Sequence, residues 1–186
     1  MKSILILGGA RSGKSRLAVE IARKQGGDVL FVATAEARDG EMARRITAHR
    51  RSRPAGWMTL EVTCGVGAQV LRHMGKARTV IIDCITLLVN NVFEKCGARA
   101  TTARLEKAVN EEIQALVDCI DSSEALFIIV SNEVGLGIIP ADSVSRRYRD
   151  LLGRANQMLA THVEEVYLLV AGLPVAIKKS VPDIDS

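Results

Sequence analysis

The chain has 186 residues, of which 48% are hydrophobic and 3% aromatic, and it carries a formal net charge of +4 with a pI near 9.0. This length and apolar content predict one domain with a sizeable core rather than two domains. The mild positive charge suits a phosphate-rich ligand, whereas so few aromatic side chains offer little base stacking, so no nucleic-acid partner is expected.

An apolar run at residues 3–7 leads into a Gly-rich loop, residues 8–15, and then into a helical pattern at residues 16–23. The loop matches G-x-x-x-x-G-K-[ST] between a strand and a helix, which is the context that a phosphate-binding loop requires. Its glycines let the backbone approach phosphate oxygens, Lys14 supplies a mobile charge, and the Ser15 hydroxyl is placed to hold Mg²⁺. The motif therefore predicts a nucleoside triphosphate ligand.

A second buried strand is predicted at Val29–Ala33, after Gly26 and Gly27 end the first helix. Strand, helix and strand in this order imply a right-handed crossover and a parallel sheet. The turn that follows, residues 34–36, lies at the edge where open α/β sheets place ligands, although a simple connection is an equal alternative.

Residues 40–54 predict a basic helix that Pro54 ends. Met42, Ile46 and His49 recur at i, i+4 and i+7, so His49 is expected to face the sheet. A solvated basic face with a structural histidine is the alternative to a functional one. Five arginines surround the histidine, at positions 44, 45, 50, 51 and 53.

Strand-like alternation at residues 57–62 and a short helix at 65–73 precede an apolar strand that ends in Asp83. Asp83 is predicted to hold Mg²⁺ directly or through water as the second half of the nucleotide site. A strand-end aspartate can also serve only as a helix cap.

In the second half, helices are predicted at residues 87–95 and Thr102–Asp121, with the glutamates of the longer one on its exposed side: Glu106, Glu111 and Glu112. A strand at 125–130 runs into a polar, Gly-rich turn, where Asn132 and Glu133 either bind substrate or merely close the loop. A helix from Asp142 or Ser143 and strands at 165–171 and 175–178 complete the pattern.

The alternating elements predict an α/β fold with a mainly parallel sheet flanked by helices. Without a repeat or linker, one domain is expected over residues 1–179, followed by a frayed tail at 180–186. No apolar run is long enough to span a bilayer, so a cytoplasmic protein without a membrane span is expected. The scattered cysteines lack metal-ligand spacing and are expected to be reduced: Cys64, Cys84, Cys96 and Cys119.

Several stretches together resemble the bifunctional adenosylcobinamide kinase / adenosylcobinamide-phosphate guanylyltransferase family of cobalamin synthesis. The Asn-Glu-Val-Gly-x-Gly stretch from Asn132 and the His-x-x-x-Arg-Pro stretch from His49 are more discriminating than the phosphate loop, which many unrelated proteins share. The matching pieces span nearly the whole chain in order: residues 8–15, 33–34, 41–46, 49, 53–54, 57, 83–86, 131–140 and 154–157.

The resemblance implies a RecA-like P-loop fold, a homotrimer and two reactions. In the first, the γ-phosphoryl of ATP or GTP passes to the hydroxyl of the aminopropanol arm of adenosylcobinamide. In the second, a histidine attacks the α-phosphorus of GTP, pyrophosphate leaves, and GMP is transferred from the enzyme to adenosylcobinamide phosphate, which gives adenosylcobinamide-GDP.

Carried over by position, the resemblance makes His49 the guanylylated nucleophile and assigns Mg²⁺ to Ser15 and Asp83, with Lys14 acting on the triphosphate. Nearby arginines would disfavour the protonated imidazole and so keep the nucleophile neutral. The other positions expected to contact the guanine nucleotide are Gly8, Gly9, Ala10, Arg11, Ser12, Gly13, Ala33, Thr34, Ala35, Arg50, Arg51, Ser52, Arg53 and Glu61.

Two alternatives stay open from the sequence. A small-molecule kinase without a covalent intermediate would need Lys14, Ser15 and Asp83 but not His49. A nucleotide-dependent regulatory protein would use the triphosphate as a switch, and a partner would stimulate hydrolysis without a small-molecule acceptor.

Overall fold

A computed structural model describes residues 3–36, 40, 44, 47, 50, 53–97 and 99–179. The strands within these residues are β1 (Ser3–Gly8), β2 (Val29–Ala33), β3 (Met58–Glu61), β4 (Thr79–Asp83), β5 (Leu126–Val130), β6 (Glu165–Val170) and β7 (Leu173–Lys178). The helices for which bounds are given are α1 (Lys14–Gln25), α2 (Val66–His73), α3 (Ile85–Cys96), α4 (Thr102–Asp121) and α5 (Ser143–His162).

The strands form one sheet in the order β3-β2-β4-β5-β1-β6-β7. Every neighbouring pair is parallel except β6 and β7, which pair antiparallel at one edge. A tight turn joins these two strands, and its residues Ala171 and Gly172 have positive φ angles of 52° and 85°. The prediction of an α/β fold with a mainly parallel sheet flanked by helices is confirmed.

The sheet separates two apolar clusters, because successive side chains of a strand point to opposite faces. One cluster packs the strand residues Leu5 and Ile82 against α2, α3, α4 and α5. The other packs Ile6 and Phe31 against the small residues of α1, including Ala18. Buried apolar side chains on both faces therefore hold the central strands rigidly in register.

The register of the strands brings several carboxyl ends to one edge of the sheet. Ala33 at the end of β2 pairs with Glu61 of β3 on one side and with Asp83 of β4 on the other. Asp83 also pairs with Val130 of β5, which in turn pairs with Ile6 of β1. Because β1 continues into the phosphate loop, the two acidic side chains and the loop share the edge where ligands bind in such sheets.

The expectation that the glutamates of α4 face solvent is wrong for Glu112. Its two carboxylate oxygens accept hydrogen bonds from the backbone N–H groups of Gly65, at 2.9 Å, and Val66, at 2.8 Å. These groups belong to the start of α2, where a negative charge also interacts favourably with the helix dipole. Glu112 therefore fixes α2 on α4.

Three further expectations concern the C-terminal tail, a membrane span and the cysteines. The predicted tail at residues 180–186 lies outside the described residues. In the described ranges, no helix is both long enough and apolar enough to cross a bilayer. All four cysteines are free thiols, as expected.

Candidate nucleotide site

The loop between β1 and α1 surrounds the amine of Lys14. Gly13 precedes the helix with a φ of 97°, in the left-handed region. Lys14 Nζ donates hydrogen bonds to the carbonyls of Gly8, at 2.9 Å, and Gly9, at 2.6 Å. Burial lowers the pKa of Lys14, whereas the charges of Cys84 and Asp83 oppose that shift. The lysine is thus a buried donor at the centre of the loop.

Gly8 is required where it stands, because the loop packs tightly against β6. Its φ is 150°, and a Cβ on it would lie 2.7 Å from the carbonyl oxygen of Leu169 and 2.7 Å from Ser12 Oγ. Gly9 differs, since a Cβ there would meet no atom within 4 Å. The first glycine of the motif therefore serves packing, in addition to leaving room for phosphate.

A cavity of about 540 Å³ opens beside this loop, at the carboxyl edge of the sheet. Asn132, for which the sequence left substrate binding and loop closure open, lines it, as do residues that the sequence did not assign: Arg16, Cys84, Thr86, Leu87 and Val130. The predicted site residues that it brings together are Ala10, Arg11, Ser12, Gly13, Lys14, Ser15, Ala33, Ala35, Arg53 and Asp83.

Asp83 and Ser15 lie in the wall of this cavity, and Asp83 acts electrostatically on two cations. Its negative charge opposes the lowering of the pKa of both Lys14 and Arg53 that burial causes. Hydroxyl and carboxylate oxygens are ligands that Mg²⁺ accepts. Ser15 and Asp83 are therefore residues that could hold this ion, and the described residues contain no group of three or more His, Cys, Asp or Glu side chains suited to a metal.

Arg53 connects the first cavity to a second one. Its guanidinium carbon lies 3.9 Å from the centre of the Phe31 ring, and NH1 is 3.4 Å from Thr59 Oγ1. In the second cavity, of about 650 Å³, Arg50 Nε donates to Glu61 Oε1 at 2.9 Å. The lining of the second cavity is Arg50, Arg53, Pro54, Ala55, Gly56, Trp57, Thr59 and Glu61.

Thr34 is fully buried and is absent from the residues that line either cavity within the described ranges. Its hydroxyl donates to the carbonyl of Cys84 at 2.7 Å and accepts from the Cys84 N–H at 2.9 Å. Asn91 Nδ2 donates to the Thr34 carbonyl at 2.8 Å and to the Thr63 carbonyl at 3.1 Å. Thr34 thus fixes the backbone of Cys84, directly after Asp83, through two hydrogen bonds. Its predicted nucleotide contact stays a prediction.

Three predicted site residues, His49, Arg51 and Ser52, lie outside the described residues. The same holds for Met42 and Ile46, with which His49 was expected to form an apolar stripe. Their predicted roles stay predictions.

The profile of the family described as cobinamide kinase / cobinamide phosphate guanyltransferase matches residues 4–177. The chain belongs to this family. It is 42% identical over 174 residues to the bifunctional adenosylcobalamin biosynthesis protein CobP of Pseudomonas aeruginosa, which covers 94% of this chain and 96% of that protein. It is 38% identical over 180 residues to the bifunctional adenosylcobalamin biosynthesis proteins CobU of Salmonella typhimurium and Escherichia coli, covering 94% of this chain and 99% of each relative.

Among solved structures, the RadB recombinase resembles the chain with a TM-score of 0.49 and 14% identity, over 90% of this chain and 73% of that one. Membership of the cobinamide kinase / cobinamide phosphate guanyltransferase family confirms the predicted family and makes the chain an enzyme. The alternative of a nucleotide-dependent regulatory protein is thereby set aside.

Proposed function

We propose that the chain transfers the γ-phosphoryl of ATP or GTP to adenosylcobinamide, and then transfers GMP from GTP to adenosylcobinamide phosphate through a histidine–GMP intermediate at His49. The product is adenosylcobinamide-GDP. The observation that carries this proposal is the meeting of Lys14, Ser15 and Asp83 around one cavity, in a chain of the cobinamide kinase / cobinamide phosphate guanyltransferase family.

The phosphate loop binds the triphosphate in this proposal. Lys14 Nζ exchanges its hydrogen bonds to the Gly8 and Gly9 carbonyls for bonds to phosphate oxygens, over which a buried cation acts strongly because the surrounding dielectric is low. The other loop residues contribute backbone N–H groups at the start of α1, where the helix dipole favours negative charge. Phosphoryl transfer depends mainly on such positioning and charge stabilisation.

Ser15 and Asp83 would hold Mg²⁺, which neutralises phosphate charge when it is bound. Asp83 stands at the end of a buried strand and pairs in register with Ala33 and Val130, so its backbone is fixed. Its charge also attracts two cations that line the same cavity, Lys14 and Arg53. The carboxylate therefore organises the cationic side of the cavity as well as a metal site.

In the guanylyl step, an imidazole nitrogen of His49 forms a bond to the α-phosphorus, and the bond from that phosphorus to the bridging oxygen breaks. Pyrophosphate leaves with the electron pair, and a phosphate oxygen of the acceptor then displaces the histidine. Arg50 and Arg53 supply positive charge in the second cavity. Because Arg53 lines both cavities, this arrangement suits a triphosphate that extends from one cavity into the other. Glu61 orients Arg50 through their ion pair.

We further propose that the enzyme works in the cytoplasm. We also propose that it is a homotrimer, because a corrinoid is large beside a cavity of about 540 Å³. A neighbouring subunit would then complete the acceptor site. Light scattering of the purified protein tests the trimer: a mass of three chains supports it, and a monomer at working concentration contradicts it.

Mass spectrometry of the products tests the two reactions. Wild-type enzyme with Mg²⁺, ATP, GTP and adenosylcobinamide should form first the phosphate and then adenosylcobinamide-GDP. The Lys14→Ala variant should catalyse neither step, whereas His49→Ala should form adenosylcobinamide phosphate but no adenosylcobinamide-GDP. His73→Ala is the matched control, because His73 is exposed on α2 and a ring nitrogen is hydrogen-bonded to the Gln69 carbonyl of the same helix.

The outcomes separate the remaining candidates. Full formation of adenosylcobinamide-GDP by His49→Ala would leave the kinase step intact but contradict the covalent mechanism. A wild-type enzyme that phosphorylates no cobinamide with either nucleotide would contradict the proposed function as a whole.

A further inference from the structure

We propose that the side-chain amide of Asn132 binds the terminal phosphate of the nucleoside triphosphate, and that Thr86 is a positioning residue that holds Asn132 in place. Asn132 lines the cavity together with Lys14 and Asp83. This inference rests on the proposed kinase step, and it assigns a role to a residue that sequence reasoning left undecided between substrate binding and loop closure.

The topology places Asn132 between the two halves of the nucleotide site. Strand β5 lies between β4, which ends in Asp83, and β1, which leads to the phosphate loop. Asn132 follows the last residue of β5, Val130, by two positions, and Val130 pairs in register with Asp83. Asn132 therefore follows the strand that lies between the strand leading to the phosphate loop and the strand ending in the acid proposed to hold Mg²⁺.

The main chain of Asn132 is held from both sides. Its N–H donates to Thr86 Oγ1 at 2.8 Å, and its carbonyl accepts from Asn156 Nδ2 at 3.1 Å. The next residue, Glu133, donates its N–H to the carbonyl of Gly8 at 3.1 Å. Because Gly8 also accepts from Lys14, the turn that carries Asn132 is joined directly to the phosphate loop.

The two residues that hold Asn132 are themselves fixed by hydrogen bonds, of which one is part-buried and one is buried. The Tyr148 hydroxyl donates to the Thr86 carbonyl at 2.9 Å, and Ser131 Oγ donates to Asn156 Oδ1 at 2.6 Å. Ser131 is fully buried, and Asn156 and Thr86 are 5% and 8% exposed. A satisfied network of this kind specifies one backbone arrangement more strictly than apolar packing does.

The side chain of Asn132, in contrast, makes no hydrogen bond with any described residue and is half-buried in the cavity wall. A carboxamide offers two N–H donors and one carbonyl acceptor. A fixed backbone with an available amide, in a cavity that a buried lysine also lines, suits a donor to a phosphate oxygen. We therefore assign the Asn132 Nδ2 group to a non-bridging oxygen of the γ-phosphate.

In the kinase step the acceptor hydroxyl oxygen forms a bond to the γ-phosphorus, and the bond to the β,γ-bridging oxygen breaks. The nucleoside diphosphate leaves with that electron pair, and the hydroxyl proton passes to buffer. Charge on the three equatorial oxygens must be stabilised during this transfer. Asn132 supplies one neutral, pre-positioned donor to them, in addition to the charge of Lys14.

Nucleotide affinity and turnover test the assignment in the full-length enzyme. Asn132→Ala should weaken binding of the β,γ-imido triphosphate analogues about fivefold or more while leaving ADP and GDP affinity unchanged, and kcat for cobinamide phosphorylation should fall roughly 100-fold. Asn110→Ala, on the exposed side of α4, is the matched control and should behave as wild type.

The Thr86 variants test the positioning role. Thr86→Val removes the acceptor for the Asn132 N–H at nearly constant volume, so kcat should fall about tenfold with KM within about threefold, since a small misplacement of a catalytic group is costly. Thr86→Ser keeps the hydroxyl and should restore kcat. A loss of kcat in Thr86→Ser as large as in Thr86→Val would overturn the positioning role.

Two results would overturn the assignment of Asn132. In one, Asn132→Ala binds the triphosphate analogue and the diphosphate with wild-type affinity. In the other, it loses affinity equally for both, which would place the contact away from the terminal phosphate. Because these affinities are measured without acceptor, they remain informative even if wild-type enzyme transfers no phosphoryl group to cobinamide, the result that would contradict the proposed function instead.

Discussion

The buried amine of Lys14 donates a hydrogen bond of 2.9 Å to the carbonyl of Gly8. That carbonyl also accepts from the N–H of Glu133, so one oxygen joins the phosphate loop to the turn after β5. The start of the loop is therefore tied to the turn after β5, and its carbonyl positions the lysine before a nucleotide binds. The compactness of this arrangement limits which substitutions the loop tolerates.

Lys14→Arg should weaken nucleotide binding by about tenfold or more, although it keeps the positive charge. The amine fits between two carbonyls and is 7% exposed, whereas a planar guanidinium is larger and has a fixed donor geometry. Titration with a fluorescent nucleotide measures the affinity. Lys24→Arg, at the exposed end of α1, is the control, and wild-type affinity in Lys14→Arg would contradict the role of the close fit.

Gly8→Ala should lower the free energy of unfolding by about 2 kcal/mol or more, because the new methyl group would collide with the Leu169 carbonyl at a φ of 150°. Gly9→Ala is the matched substitution, since its methyl group would meet open space. Urea denaturation of the two variants measures the difference. Equal stabilities would show that the loop does not pack on β6 as described.

Glu112→Gln should lower the free energy of unfolding by about 1–2 kcal/mol, because the start of α2 loses a charged acceptor for two backbone N–H groups. Glu111→Gln provides a control at the neighbouring position, where the side chain makes an exposed pair with Lys107. Thermal unfolding should separate the two variants. A larger loss in Glu111→Gln than in Glu112→Gln would refute the capping role.

Stability should fall in alkaline solution partly because of Cys119. Burial raises the pKa of this thiol from 9.0 to about 11. Between these values the unfolded chain releases a proton that the folded protein retains, so the free energy of unfolding decreases as pH rises, by ~1.4 kcal/mol per pH unit for this group. Below about pH 9 the buried, protonated thiol of Cys119 makes its full contribution to the free energy of unfolding.

Comparison of wild type with Cys119→Ala isolates this contribution. The free energy of unfolding of the variant will differ from that of wild type by a constant amount up to about pH 9. The difference should then shrink toward pH 11, where the wild-type protein has lost the contribution of the thiol. Urea midpoints measured from pH 7 to 11 provide the data. Parallel pH profiles for the two proteins would rule out the titration of Cys119 as a cause.

Most elements were predictable from local patterns. Strand β2 and helix α4 have the predicted bounds, since continuous apolar runs and a 3.6-residue period are properties of neighbouring residues. The order of the strands and the antiparallel pairing of β7 were not predicted. They depend on contacts between distant segments, about which the pattern of a single strand carries no information.

The same limit applies to the site. Lys14 and Asp83 were recognisable because the loop motif and a strand-end acid each have a local context, and the cavity brings them together. The hydrogen bonds that Thr34 and Asn156 make could not be recognised from the sequence. Thr34 bonds to Cys84, 50 positions away, and Asn156 bonds to Asn132, 24 positions away, so the fold alone determines these partners.

Covalent labelling tests the histidine mechanism most directly. The enzyme is incubated with Mg²⁺ and GTP labelled at the α-phosphate, denatured, digested and mapped by mass spectrometry, with His49→Ala and His73→Ala in parallel. We expect acid-labile GMP on His49 in wild type and His73→Ala, and none in His49→Ala. A folded wild-type enzyme that binds GTP but acquires no label, or that carries GMP on another residue, would contradict the mechanism.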